Sequence, residues 1–169
     1  DYLDSAGVPG VKRVWRTEAG GSRLFNIICI EQRYPGHARQ AGFIAQHVRE
    51  GGYANRFTVV VDDDIDPTSW DEVAWAMSTR CDPATDIEIQ RRTWSTPLDP
   101  LVEFAGTEPG MKNLTFNSRA LIDATIPYER LHTFPKVAEA PREYTEEIIN
   151  KWREVITGVE STKKETVLE

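Results

Sequence analysis

Residues 57–83 read Phe57-Thr58-Val59-Val60-Val61-Asp62-Asp63-Asp64-Ile65-Asp66-Pro67, then Thr68-Ser69-Trp70-Asp71-Glu72-Val73-Ala74-Trp75-Ala76-Met77-Ser78-Thr79-Arg80, then Cys81-Asp82-Pro83. The first run is short, apolar and β-branched, which is the composition of a buried strand. It stops at an acidic corner. Thr68 with Asp71 reads as a capping-box-like helix start: the hydroxyl accepts from an early N–H and the carboxylate faces the positive end of the dipole. Trp70, Val73, Ala74 and Met77 then share one predicted helical face. Asp82-Pro83 ends the helix. The stretch is strand, acidic turn, helix.

Upstream, Val11–Arg16 predicts a strand and Leu24–Ile30 a second, joined by the turn signal Gly20-Gly21 into a hairpin. Phe25, Ile27 and Cys29 alternate with Leu24, Asn26, Ile28 and Ile30. Both faces are mostly apolar, so this strand is expected to be covered on both sides. Residues 1–10 hold Gly7, Pro9 and Gly10 and read as an extended lead-in, not a helix. A helix is expected from about His37 to Glu50, with Ala41, Ile44, Ala45 and Val48 on one face and Gly51-Gly52 as its stop.

Downstream, Asp86–Arg92 predicts a fourth strand. Trp94-Ser95-Thr96-Pro97-Leu98-Asp99-Pro100 is a rigid extended segment, because its two prolines deny it helix. Such a segment suits the wall of a pocket, since its shape is fixed before a ligand arrives. Residues 103–118 read as loop and Ala120–Ile126 as a short strand. A final helix starts near Pro141, a good first-turn residue. Its apolar stripe is Tyr144, Ile148, Ile149, Trp152, Val155 and Ile156. Residues 158–169 read as a frayed polar tail. The predicted fold class is α/β: a mixed β-sheet with flanking helices, plus a C-terminal helix. One domain is expected over 1–157, with 141–157 as its C-terminal helix.

The 169 residues carry a net charge of −7, with 40% hydrophobic and 28% charged residues. That balance describes a soluble globular domain. It argues against nucleic acid and against an anionic membrane surface, both of which need a basic face. No apolar run approaches the ~20 residues of a membrane-spanning helix. No signal-peptide pattern is read at the start. The first residue is Asp1, as in a fragment or a processed product. Cys29 and Cys81 form no disulfide framework and read as buried thiols, which fits a reducing cytoplasm.

Few residues announce chemistry. Asp62, Asp63, Asp64 and Asp66 follow a strand end, where hard-cation ligands often sit. They lack EF-hand spacing, and the competing reading is a helix N-terminal corner. A small metal-dependent hydrolase built on Asp62–Asp66 is the alternative function. His37, His47 and His132 have no metal-pair spacing and read as solvent or loop residues. No serine lies in a G-x-S-x-G context, and no Rossmann or Walker glycine pattern is present. Trp70, Trp75, Trp94 and Trp152 read as core or interface residues.

The order of several stretches resembles the C-terminal domain of the UbiD family. These are "AGVPGVKRVWRTEAGG" (6–21), "IEQRYPGHARQA" (30–41), "VVVDDDIDPTSWDEVAWAMSTRCDP" (59–83), "RRTWSTPLDP" (91–100) and "LIDATIPYE" (121–129). UbiD-type enzymes are prenylated-FMN-dependent decarboxylases and reversible carboxylases of aromatic or conjugated acids. The resemblance implies that the flavin, its divalent metal (Mn or Mg), K and a catalytic Glu-Arg-Glu set lie in other regions of the parent enzyme. No catalytic, cofactor-binding or metal residue is then expected in this chain, and the chain alone should be inactive. What it would supply is subunit association and one wall of the substrate cleft. The segment matching Thr96-Pro97-Leu98 carries an apolar side chain over the flavin in relatives, which implies Leu98 as the substrate-facing residue with Thr96 and Pro97 beside it. Thr96 stands where ferulate-type members carry an aromatic residue, which implies a differently shaped acid. The competing reading makes Leu98 an ordinary core residue. The resemblance also implies a homo-oligomer, with Ile148, Trp152 and Val155 at the interface. Its partners would be the N-terminal and flavin-binding regions of the parent.

Overall fold

Three consecutive valines, Val59–Val61, are fully buried at the centre of a sheet, in strand β3 (Phe57–Asp62). In this computed structural model the described residues are 2–101, 103–104, 115–138, 141 and 143–153. They fall into two units, Asp1–Phe134 and Pro135–Glu169.

In the first unit the strands are β1 (Val11–Arg16), β2 (Phe25–Ile30), β3, β4 (Ile87–Trp94), β5 (Glu103–Phe104) and β6 (Thr115–Ala124). The sheet order is β1-β2-β3-β6-β4, with β5 paired to β6. Strands β2, β3 and β6 run parallel, while β1 and β4 are antiparallel to their neighbours. The sheet is therefore mixed, and its three parallel strands are flanked on either side.

Helices α2 (His37–His47) and α4 (Trp70–Arg80) belong to two separate cores. One core joins Ala38, Ala41 and Ala45 of α2 to Ile28, Ile30, Val60 and Leu121. The other joins Val73 and Ala76 of α4 to Ile27, Cys29, Val59, Val61 and Ile122. Alternate residues of β2 and β3 thus feed opposite cores, which is why both strands read as apolar throughout. Each fully buried Val or Ile contributes roughly 1.5–3 kcal/mol by leaving water. Gly42 lets α2 approach the sheet: a Cβ there would lie 2.2 Å from Leu121 Cδ1.

Several local expectations are corrected. The lead-in contains a single helical turn, α1 (Tyr2–Ser5), which buries Leu3 and Val8 against the α2 core. Helix α2 ends earlier than expected, at extended Val48, and Gly51-Gly52 falls in a further turn, α3 (Arg49–Gly52). Ser69, not Thr68, caps α4, accepting from the Glu72 N–H at 3.4 Å. The buried face of α4 is Val73, Ala76 and Arg80; Trp70 is 55% exposed and packs edge-on against Phe25. Trp94 closes β4 instead of opening the rigid segment. Strand β6 starts at Thr115, inside the stretch read as loop, and ends at Ala124. His37 is fully buried, with its Nδ1 accepting from the Arg33 N–H at 3.2 Å. Burial lowers its pKa.

In the second unit residues 143–153 are helical, and the Thr145 N–H donates to the Pro141 carbonyl at 3.0 Å. Tyr144, Ile148, Ile149 and Trp152 are exposed. Val155 and the tail 158–169 lie outside the described residues. No helix among the described residues is long and apolar enough to cross a membrane.

Candidate functional site

The turn at residues 95–99 presents an apolar tip on a polar base. Strand β4 carries an irregularity between Gln90 and Thr93, and Arg92 there has a φ of 55°. The strand then delivers Trp94, and the chain turns, with the Asp99 N–H donating to the Thr96 carbonyl at 3.0 Å. Thr96 is buried, Pro97 is exposed, and Leu98 is 65% exposed. Leu98 is therefore not a core residue. Leu101 (70%) and Trp94 (53%) are exposed beside it in the chain.

The base of this turn is closed by Asp99, whose side chain is 0% exposed. Its carboxylate pairs with Arg56. It also accepts from the Leu101 N–H (3.0 Å), the Asn117 amide (3.0 Å) and the Ser95 hydroxyl (3.3 Å). The Asn117 amide reaches on to the Asn55 carbonyl at 2.9 Å, and Arg119 donates to the carbonyls of Gln46, Gly52 and Trp94. Burial pushes the Asp99 carboxyl up, but these donors outweigh it and hold it below the ordinary carboxylate value. Burial lowers the Arg119 pKa, and Asp99 opposes that shift. A carboxylate satisfied this fully locks the turn without covering its tip.

Sequence reasoning singled out Thr96, Pro97 and Leu98 but not Arg56, Asp99, Asn117 and Arg119, which hold the turn. A signal was present. Thr115, Asn117 and Arg119 alternate at the period of a strand, and all three are buried. Their polarity made the segment read as loop.

The acidic corner lies at the opposite end of the sheet. Arg80, 2% exposed in its side chain, donates to Asp62 at 3.0 Å and to both oxygens of Asp64 at 2.8 and 2.6 Å. Asp62 also accepts from Gln32 and from the Ile126 N–H, each at 2.7 Å. Burial raises the Asp62 pKa against these donors, whereas the Arg80 hydrogen bonds lower that of Asp64. Asp66 accepts from the N–H and hydroxyl of Thr68. These carboxylates are spent on protein donors. Among the described residues no group of three or more His, Cys, Asp or Glu side chains is placed to hold a metal ion.

Trp15, Trp70, Trp75 and Trp94 are all at least 38% exposed, so none of them is a core residue. Trp75 lies against the Arg80 guanidinium, 5.1 Å from its ring centroid. Cys29 is buried, Cys81 is half-buried, and both are free thiols.

The family model of the 3-octaprenyl-4-hydroxybenzoate carboxy-lyase C-terminal domain matches residues 1–124. Among solved structures, the UbiD-class enzyme HmfF from Pelotomaculum thermopropionicum, in complex with FMN, is 28% identical with a TM-score of 0.67, over 85% of this chain and 29% of that one. Vanillic acid decarboxylase from Sedimentibacter hydroxybenzoicus, in open form, is 26% identical with a TM-score of 0.64, over 92% and 31%. An evolved dimeric form of HmfF in complex with prFMN is 27% identical with a TM-score of 0.56, over 82% and 25%. The chain thus spans between 25% and 31% of the length of these solved structures.

Proposed function

We propose that this chain, which belongs to the 3-octaprenyl-4-hydroxybenzoate carboxy-lyase C-terminal domain family, forms one wall of the substrate cleft in a prenylated-FMN-dependent decarboxylase or carboxylase. The substrate class is an aromatic or conjugated carboxylic acid. Other regions of the parent enzyme hold the flavin with its divalent metal and K, and the flavin supplies the chemistry of carbon dioxide loss or gain. The observation that carries this reading is the clamped turn: Leu98 is 65% exposed above an Asp99 side chain that is 0% exposed. A wall held this firmly keeps its own shape before substrate binds and so lowers the ordering cost. Thr96 and Pro97 set the backbone path, and Leu98 limits the size of the acid. The place of work is the cytoplasm.

In the complete enzyme, Leu98→Ala is expected to raise kcat/KM for bulkier acids relative to small ones, while flavin loading stays unchanged. An unchanged substrate ratio with normal loading contradicts the cleft-wall role.

The same reading assigns subunit association to the helix over 143–153, through Ile148 and Trp152, and to Val155, which lies outside the described residues. Exposed apolar stripes of this kind mark partner surfaces. Truncation after Tyr144 is expected to shift the species seen by multi-angle light scattering towards monomer. A full chain that is already monomeric at high micromolar concentration contradicts it.

A further inference from the structure

Arg16, Arg23 and Arg49 line one open cleft of about 320 Å³ together with Glu50 and Tyr53. The cleft lies at the end of the sheet where β2 and β3 begin, since Arg16 pairs with Asn26 and α3 leads into β3. Among the described residues these three arginines have no carboxylate within salt-bridge distance. Arg13, Arg33, Arg39, Arg56 and Arg80 all do. Among the described residues that line the cleft, Glu50 is the one carboxylate beside these three arginines, so the lining is basic in a chain of net charge −7.

Two of them are already positioned. Arg16 donates to the Glu50 carbonyl, and Arg23 lies 5.0 Å from the Tyr53 ring centroid. Tyr53 in turn lies 6.2 Å from the Trp94 ring. Arg16 and Glu50 also line a second, smaller cavity of about 100 Å³. Its other walls are mostly apolar: Leu3, Val14, Ala45 and Val48, with Asn26 among them. Asn26 is 4% exposed, and its Oδ1 has no hydrogen-bond partner among the described atoms, although its amide donates to the Gly51 carbonyl. A buried acceptor left unsatisfied is costly, so a donor that reaches it recovers that cost.

We propose that these two cavities, which share Arg16 and Glu50 in their linings, together bind a small apolar carboxylic acid at a site separate from the Leu98 turn. The carboxylate sits on Arg16, Arg23 and Arg49, whose planar forks suit it. The apolar body lies against Leu3, Val14, Ala45 and Val48. A hydroxyl at the far end of that body donates to Asn26 Oδ1. The site needs neither flavin nor the rest of the parent enzyme, so it is testable on this chain and independently of the cleft-wall role.

The probe is 4-hydroxybenzoate, titrated into the isotope-labelled chain and followed by NMR through the arginine Nε–H and Asn26 side-chain signals. Saturable shifts at Arg16, Arg23, Arg49 and Asn26 are expected, weakening as salt is added. The uncharged 4-hydroxybenzamide should bind at least about fivefold more weakly, as should Arg16→Gln or Arg49→Gln. Both replaced arginines are exposed, so the variants should fold, and Arg49→Lys should recover part of the loss. Two results overturn the proposal. One is no localised shift at tens of millimolar acid. The other is inorganic phosphate binding as tightly as the acid, which would make the cleft a reader of charge alone.

Discussion

Where β2, β3 and β6 finish, Arg80 is sealed between Asp62 and Asp64, and Asp66 is tied to Thr68. Where those strands start, Trp94, Leu98 and Leu101 stand exposed, and Arg16, Arg23 and Arg49 face an open cleft. Each end contains one buried carboxylate paired with an arginine. At the first end, Asp62 and Arg80 close a corner on which the half-exposed Trp75 ring lies against the Arg80 guanidinium. At the second, Asp99 and Arg56 hold up a turn whose apolar tip remains outside. The same interaction thus serves closure at one end and presentation at the other. The acidic run is the more conspicuous sequence, yet Asp62, Asp64 and Asp66 are each bound to an arginine of this chain.

Arg80→Ala should produce the largest effect on the isolated chain. It leaves Asp62 buried without its cation, and urea unfolding should show a loss of about 3–5 kcal/mol. A loss under about 1 kcal/mol would mean that the corner is solvated, and the comparison would fail there.

Asp99→Ala should cost about 2–3 kcal/mol, because Arg56 and the Asn117 amide lose their acceptor. The loss should be accompanied by faster amide exchange over 94–101. Normal exchange there would show that the turn is held by something other than Asp99.

The two carboxylates should also titrate in opposite directions. Asp99 is held below the ordinary aspartate value of about 3.9. Its stabilisation is complete above that unfolded value and is lost as pH falls through its lower folded pKa. Asp62 is raised, mainly by burial. Its ionisation therefore costs stability as pH rises from the unfolded value through the raised one. Carboxyl-carbon NMR should find Asp62 protonating before Asp99 on acidification, and the reverse order would break the contrast.

The smallest effects concern the start of α4. Ser69→Ala should cost about 1 kcal/mol in thermal unfolding, and Thr68→Ala within about 0.5 kcal/mol. Equal costs would restore the capping assignment made from the sequence.

Much of the fold was legible because it rests on local patterns. The valine run, the Gly20-Gly21 turn and the spacing of α2 carry their own signals. The second half of the sheet did not read so clearly. Strand β6 begins with Thr115, Asn117 and Arg119, polar residues that are buried only because Asp99, Gln46 and Gly52 meet them from far along the chain. His37 misread for a similar reason: nothing nearby in sequence predicts that α2 buries its first residue. At the candidate site, the proline-flanked Leu98 was visible. The clamp beneath it was not, since its members lie at positions 55, 56, 95, 99, 117 and 119 and meet only in three dimensions.

The central claim is that the Leu98 end of the sheet works on substrate and the acidic corner does not. Hydrogen exchange on the complete enzyme, with and without a bound aromatic acid, tests this most directly. The account predicts that the acid slows exchange over residues 94–101 and leaves 62–66 unchanged. Protection at 62–66, with 94–101 unaffected, would contradict it.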